Sequence, residues 1–282
     1  TCALTRLWRE VLQVDWSKTQ TVFIIIFLVL NVALYGLYKE RMSGTEDLDV
    51  IADKSIELRL KEDEITVKKL PNIKEGDLYI SGKPHAFKKR ELNMSNQNFY
   101  IEEDGYTLIS SLKQPITLEE ISERTLKEFA ARYVYRGNDY VLGEIDEDEQ
   151  RAIFFQKTSE RPIYYDEHAM LTIEWNKDNL VRSYTMTMLS EMEPFEHQAP
   201  LIEPIAIIEK LYLQKLLEPK DQIQNVNIGY TFMSELSQRE VFVATWEIRV
   251  KNDSLKTEES FFVNAVDGTI LTVLSNEEEE EE

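Results

Sequence analysis

The chain has 282 residues, with 52 Asp and Glu against 32 Lys and Arg, for a formal net charge of -20. Such a surface repels nucleic-acid phosphates and anionic lipid headgroups, so neither is an expected partner. At 43% hydrophobic and 10% aromatic residues it is too apolar for a disordered tail, and its one cysteine, Cys2, excludes a disulfide framework.

In TCALTRLWREVLQ, Leu4, Leu7, Trp8 and Val11 recur at helical spacing, with Arg6 and Arg9 between them. Two readings stay open: a short helix on the inner membrane surface, or sequence upstream of a true start at Val14. Residues 1–20 are thus expected to form a short N-terminus, of which 1–13 precede the start on the second reading. The next stretch, TVFIIIFLVLNVALYGLY over 21–38, has no charged residue, and Asn31 is its one strongly polar interior side chain. At about 1.5 Å per residue it spans roughly 27 Å, close to the hydrocarbon thickness of a bilayer. It shows no polar face, so it predicts a transmembrane helix rather than a soluble amphipathic one. No small-x-small cleavage site follows, which favours an uncleaved anchor over a signal peptide.

Trp16 and Lys18 at one end of this helix and Tyr38 at the other are expected membrane-interface anchors. The flanking charges, Arg6, Arg9 and Lys18 against Lys39 and Arg41, are nearly balanced and leave the orientation open. An amide in the bilayer core marks a helix–helix contact. Ile24, Phe27, Leu28, Leu34 and Tyr35 are the helical neighbours of Asn31 and complete one partner-binding face. The alternative is an amide satisfied locally or by self-association.

Residues 39–54 read as a juxtamembrane linker. Asp47, Asp49 and Asp53 lack the glycine and terminal glutamate of a calcium loop. The N-terminal part of the ectodomain follows over 55–114. It holds a strand or short helix and then a strand within Ser55–Leu70, and another short strand at Leu78–Gly82. Lys83, His85, Lys88, Lys89 and Arg90 form a basic patch, either a solvated loop or a contact for a wall polymer or an acidic partner face.

A first α+β unit is expected over 115–193. Thr117 and Glu120 suggest a capping box, and Leu118, Ile121, Leu126, Phe129, Ala130 and Tyr133 stripe a helix of about sixteen residues. Strands follow at Tyr140–Ile145, Arg151–Gln156, Leu171–Trp175 and Leu180–Leu189, with a further short one at Ile163–Tyr165. A second unit over 200–274 repeats the order. Its helix runs over Ile202–Leu217, and its strands over Val226–Met233, Glu240–Val250, Ser260–Val266 and Thr269–Leu274. Asp267-Gly268 joins the last two. The fold class is therefore α+β: an N-terminal transmembrane helix, then two similar units, each a helix packed on an antiparallel sheet. The glutamate-rich 275–282 reads as a disordered acidic tail.

No catalytic constellation is legible. His85, His168 and His197 make no HxxxH or HxH pair, and there is no GxSxG and no glycine-rich phosphate loop. We expect no enzyme, no cofactor, and no catalytic, metal or cofactor-binding residues.

Asp15-Trp16-Ser17-Lys18-Thr19-Gln20 directly before the apolar run, with a polar residue in mid-helix, resembles the start of the YycI (WalI) family. The strand carrying Trp246 and the closing FFVNAVDGTI hairpin extend the resemblance through the ectodomain, over positions 15 to about 274. The family's usual Met-Asp-Trp start is what makes Val14 a candidate start. The resemblance implies a cytoplasmic N-terminus, an extracytoplasmic domain in the cell membrane of a Gram-positive bacterium, and no catalysis. It also implies a membrane complex with the sensor kinase WalK (YycG) and the sister protein YycH that tunes WalR-dependent cell-wall gene expression, with homo- or hetero-oligomers open. The alternative is an extracytoplasmic binding module that senses a cell-wall fragment or peptide.

Overall fold

The computed structural model describes residues 16–43, 55–73, 75–195 and 198–271. The chain falls into two compact units, Thr1–Arg59 and Leu60–Glu282. The expectations for residues 1–13, for most of the linker, for His197 and for the acidic tail lie outside the described residues.

The first unit is built on α1 (Trp16–Ser43), 28 residues with no proline to interrupt them. Its described side chains cover 20–35 and are all exposed. Among the described residues, no helix is long and apolar enough to cross a membrane.

After α2 (Ile56–Glu62), the second unit is rich in sheet. Its strands are β1 (Thr66–Val67), β2 (Glu75–Asp77), β3 (Tyr79–Pro84), β4 (Gln97–Ile101) and β5 (Leu108–Thr117), followed by α3 (Glu123–Tyr133). Next come β6 (Tyr140–Asp146), β7 (Arg151–Thr158), β8 (Arg161–Pro162), β9 (Met170–Trp175), β10 (Leu180–Met186), β11 (Leu189–Pro194) and β12 (Gln198–Pro200). Then follow α4 (Pro204–Leu213), β13 (Gln222–Leu236), β14 (Arg239–Asn252), β15 (Thr257–Asn264) and β16 (Ile270–Leu271).

The first large sheet runs β4-β5-β10-β9-β7-β6, with β8 on β7. The second runs β1-β13-β14-β15-β16 and takes β3 on β14 and β11 on β3; β2 and β12 pair separately. Strand alternation decides what each face meets. In β7, Ala152 and Phe154 join Leu126, Phe129 and Ala130 of α3 in one core. Ile153 and Phe155 point the other way and meet Tyr164 and Phe262, so they join the two sheets. In β14, Glu247 is paired with Phe262 and shares that inner face, while Trp246 is paired with Val263 on the outer one. The carbonyl of Ile202, just before α4, accepts a bond of 2.9 Å from Trp246 Nε1 and ties that helix's approach to the outer face.

Three expectations need correction. The helix over the first sheet begins at Glu123, capped by Ser122, not near Thr117, because Thr117 still pairs with Leu180 in the sheet. Pro115 ends up within β5, where the register slips between Ser111 and Ile116 and its missing N–H is not required. The capping box is Ser122 with Thr125: Thr125 N donates to Ser122 Oγ at 3.4 Å, and Ser122 N to Thr125 Oγ1 at 3.2 Å. Ser122→Ala is expected to lower stability by about 1 kcal/mol, read as an earlier thermal melt.

Second, Leu180–Leu189 is not one strand. β10 ends at Met186 in the first sheet, and β11 starts at Leu189 in the second. Buried Gln156 bridges the crossover, donating to Leu189 O at 2.9 Å and accepting from Leu189 N at 2.7 Å. Third, the polar Ser234–Arg239 stretch is no broad turn. The strands zip up to Leu236 and Arg239, leaving only Ser237 and Gln238, at φ 51° and 64°, to turn the chain. Left-handed φ at both central residues is the two-residue hairpin turn whose twist matches the strands.

Candidate functional site

Two surfaces compete for a functional role. The first is α1. Ile24, Phe27, Leu28, Leu34 and Tyr35 run along one face and are 54–68% exposed. Asn31 lies on the same face and donates from Nδ2 to the Phe27 carbonyl at 2.8 Å. That bond back to the preceding turn is the local satisfaction such an amide can find without a partner. Its remaining capacity, including the side-chain carbonyl, stays open to another helix. Trp16, Lys18 and Tyr38 belong to α1, but their side chains lie outside the described ones.

The second surface is a groove of about 1230 Å³ along the junction of the two sheets. It is lined from one side by Val141–Ile145 and Ser159–Pro162, and from the other by Asn225–Ile228, Glu247, Arg249 and Phe262. Rings make its floor. Phe155 meets Tyr165 at 4.7 Å and Tyr164 at 5.6 Å between centroids, and Tyr164 meets Phe262 at 5.1 Å. Gly229 lets the sheets close, since a Cβ there would lie 2.3 Å from the Tyr164 ring and 2.5 Å from the Pro162 carbonyl oxygen.

Charge is buried in this groove. The Glu247 side chain, 6% exposed, accepts from Arg249 Nη2 at 2.8 Å, Asn227 Nδ2 at 3.1 Å and the Tyr164 hydroxyl at 3.3 Å. Arg249 also donates to the Gly143 carbonyl at 3.3 Å and so reaches across to β6. Burial alone would lower the Arg249 pKa, but the Glu247 carboxylate outweighs it and holds the guanidinium charged. Burial, reinforced by Glu247, pushes the Tyr164 phenol well above its usual range. Tyr165 is raised by burial and by Glu144, whose carboxylate accepts its hydroxyl at 3.1 Å. These phenols stay neutral donors at any physiological pH. The buried ion pair and the neutral phenols fix the shape of the groove wall.

The basic patch is partly spoken for. Lys83 Nζ lies 2.5 Å from Glu191, and His85 Nε2 is 3.0 Å from Glu91. The structure also gathers Asp166, His168 and Glu240, which sequence spacing did not single out. His168 and Glu240 are 72 positions apart, one in the loop before β9 of the first sheet and the other in β14 of the second, so only the tertiary pairing reveals them. Likewise, Arg249 and Glu247 read as ordinary alternation along a strand until the opposite sheet closes over them.

A long apolar helix followed by a mixed α+β, sheet-rich domain with few helices sets the class of protein. The family model described as YycI protein matches residues 45–266, and the chain belongs to the YycI family. No curated protein matches it. Among solved structures it is similar to an uncharacterized protein from Eubacterium rectale ATCC 33656, at 10% identity and TM-score 0.43, over 75% of this chain and 92% of that one. It is also similar to YycH from Bacillus subtilis, at 13% identity and TM-score 0.38, over 73% of this chain and 54% of YycH, about half its length. The C-terminal domain of Bacillus megaterium YpeB matches at 13% identity and TM-score 0.39, over 71% and 88%.

Proposed function

We propose that this chain is a non-enzymatic, membrane-anchored regulator of the WalK (YycG) sensor histidine kinase, working with YycH to tune WalR-dependent cell-wall gene expression. Membership of the YycI family over 45–266 carries the reading. In it, α1 crosses the cell membrane with its N-terminus in the cytoplasm, and the sheet-rich unit stands outside. The apolar exposed surface of α1 and the Asp15-Trp16 signature before it support that placement. The helix shifts the kinase between two states by contacting them unequally, through the Ile24, Phe27, Leu28, Asn31, Leu34 and Tyr35 face.

Co-purification from membranes tests this directly. The full chain is expected to bring down WalK and YycH, and replacing α1 with an unrelated helix is expected to abolish the association and the change in WalR-dependent transcription. Asn31→Leu, which removes one interhelical bond, should weaken association about two- to threefold. A scrambled α1 that regulates normally would reduce the helix to an anchor.

A second reading rests on the groove: its aromatic floor and extended edges suit a cell-wall fragment or peptide. Calorimetry with the purified chain separates the two. Heat on adding a wall fragment, with none on adding the kinase and YycH ectodomains, favours the binding module.

A further inference from the structure

Asp166 and His168 sit in the loop between β8 and β9, on the first sheet's side of the molecule. Glu240 is the second residue of β14, in the second sheet. One donor atom from each lies within 4.8 Å of the other two. His168 Nδ1 is 2.6 Å from Glu240 Oε1, and Asp166 Oδ1 accepts from the His168 backbone N–H at 3.0 Å, which fixes the loop. Asp166 is 4% exposed, and the Glu240 side chain is 9% exposed. The second Glu240 oxygen, Oε2, is buried with no hydrogen-bond partner. A buried carboxylate oxygen left bare is costly and calls for a cation or donor.

The surroundings supply negative charge. Glu167 reaches within 3.8 Å of His168 Nδ1, and Glu235 lines the same cleft, which holds about 640 Å³. Among the described residues, Lys83 is the one Lys or Arg side chain lining it, and Lys83 is engaged by Glu191. Two buried carboxyls and one imidazole thus meet at the wall of an open cleft with a deficit of positive charge.

The geometry points to a binding site for a divalent transition cation, best fitted by Zn2+, with Asp166, His168 and Glu240 as protein ligands and a cleft water as the fourth. Imidazole with carboxylate suits Zn2+ better than Mg2+ or Ca2+, which prefer all-oxygen shells. Donors at about 2.0–2.2 Å from a tetrahedral Zn2+ stand roughly 3.3–3.6 Å apart. His168 Nδ1 and Glu240 Oε1 stand 2.6 Å apart and all three donor atoms lie within 4.8 Å of one another, so small side-chain rotations assemble the site. Because the ligands come from both halves of the unit, the cation staples the first sheet's β8–β9 loop to the tip of the β13–β14 hairpin.

The test uses the full chain, purified and stripped with a chelator, then titrated with Zn2+. One equivalent should bind and raise the unfolding temperature by about 5 °C when Zn2+ is in large excess over its Kd. His168→Gln and Glu240→Gln should each weaken binding by more than about tenfold, while His85→Gln leaves it intact. Co2+ added to the unmodified chain gives visible bands of a four-coordinate nitrogen–oxygen site, a readout independent of whether any variant folds. The proposal fails if binding is unsaturable or survives in both variants. It also fails if Co2+ stays six-coordinate, or if Ca2+ or Mg2+ stabilises the chain as well as Zn2+ does.

Discussion

Trp246→Ala is expected to be among the most damaging single substitutions in the sheet-rich unit, costing about 3–5 kcal/mol. The side chain is fully buried, at 0% exposure, in the middle of the long strand β14. Its cross-strand neighbours are Ile228 and Val263, so the cavity would open between two strands that cannot both collapse inward. Removing the indole also strands the Ile202 carbonyl that accepts from Nε1. A domain of this size holds only about 5–15 kcal/mol in total, so the variant should lose a large share of it. Urea unfolding checks this. Trp246→Phe keeps most of the volume but not the bond and should cost about 1–2 kcal/mol. Equal losses in the two variants would show that the indole bond, not the packing, dominates.

Arg249→Met should cost about 3 kcal/mol, for an electrostatic reason. It leaves the buried Glu247 carboxylate with neutral donors only, Asn227 and Tyr164, and no countercharge. Glu247→Gln on that background removes the stranded charge and should recover most of the loss; an additive double variant would refute the coupling.

The sequence makes the local elements legible wherever periodicity and turn chemistry agree. Tyr140, Ile145, Arg151 and Gln156 all lie in the strands expected of them, and the Asn176–Asn179 hairpin turn sits between β9 and β10. It does not disclose which sheet a strand joins. Met186 and Leu189 look continuous in sequence but belong to different sheets, because Gln156 supplies the backbone bonds that a break would otherwise leave unmet. Pro115 reads as punctuation before a helix, yet a register slip absorbs it. β4 and β5 escape notice since Gln97, Ser110 and Ser111 interrupt the apolar alternation. Gln97 and Ser110 are in fact bonded to each other and to Tyr184 inside the core. Pairings between residues dozens of positions apart, such as Tyr165 with Glu144 or His168 with Glu240, carry no local signal at all.

The ordering of strands has a consequence for biosynthesis. Pairs within the first sheet all fall between Gln97 and Met186, so that layer can form while the chain is still emerging. The second sheet takes β1 and β3 from the start and β13 to β16 from the end, pairing Thr66 with Gln222 and Ile80 with Phe242. β1 waits for Gln222, and β3, which can pair with β11 once Pro194 is made, waits for Arg239 and beyond to fill its other edge. Long-range closure of this kind is slow and leaves edges open to wrong partners. A nascent chain arrested before Arg239 would leave the β14-facing edge of Tyr79–Pro84 unpaired, which makes that interval a period of aggregation risk.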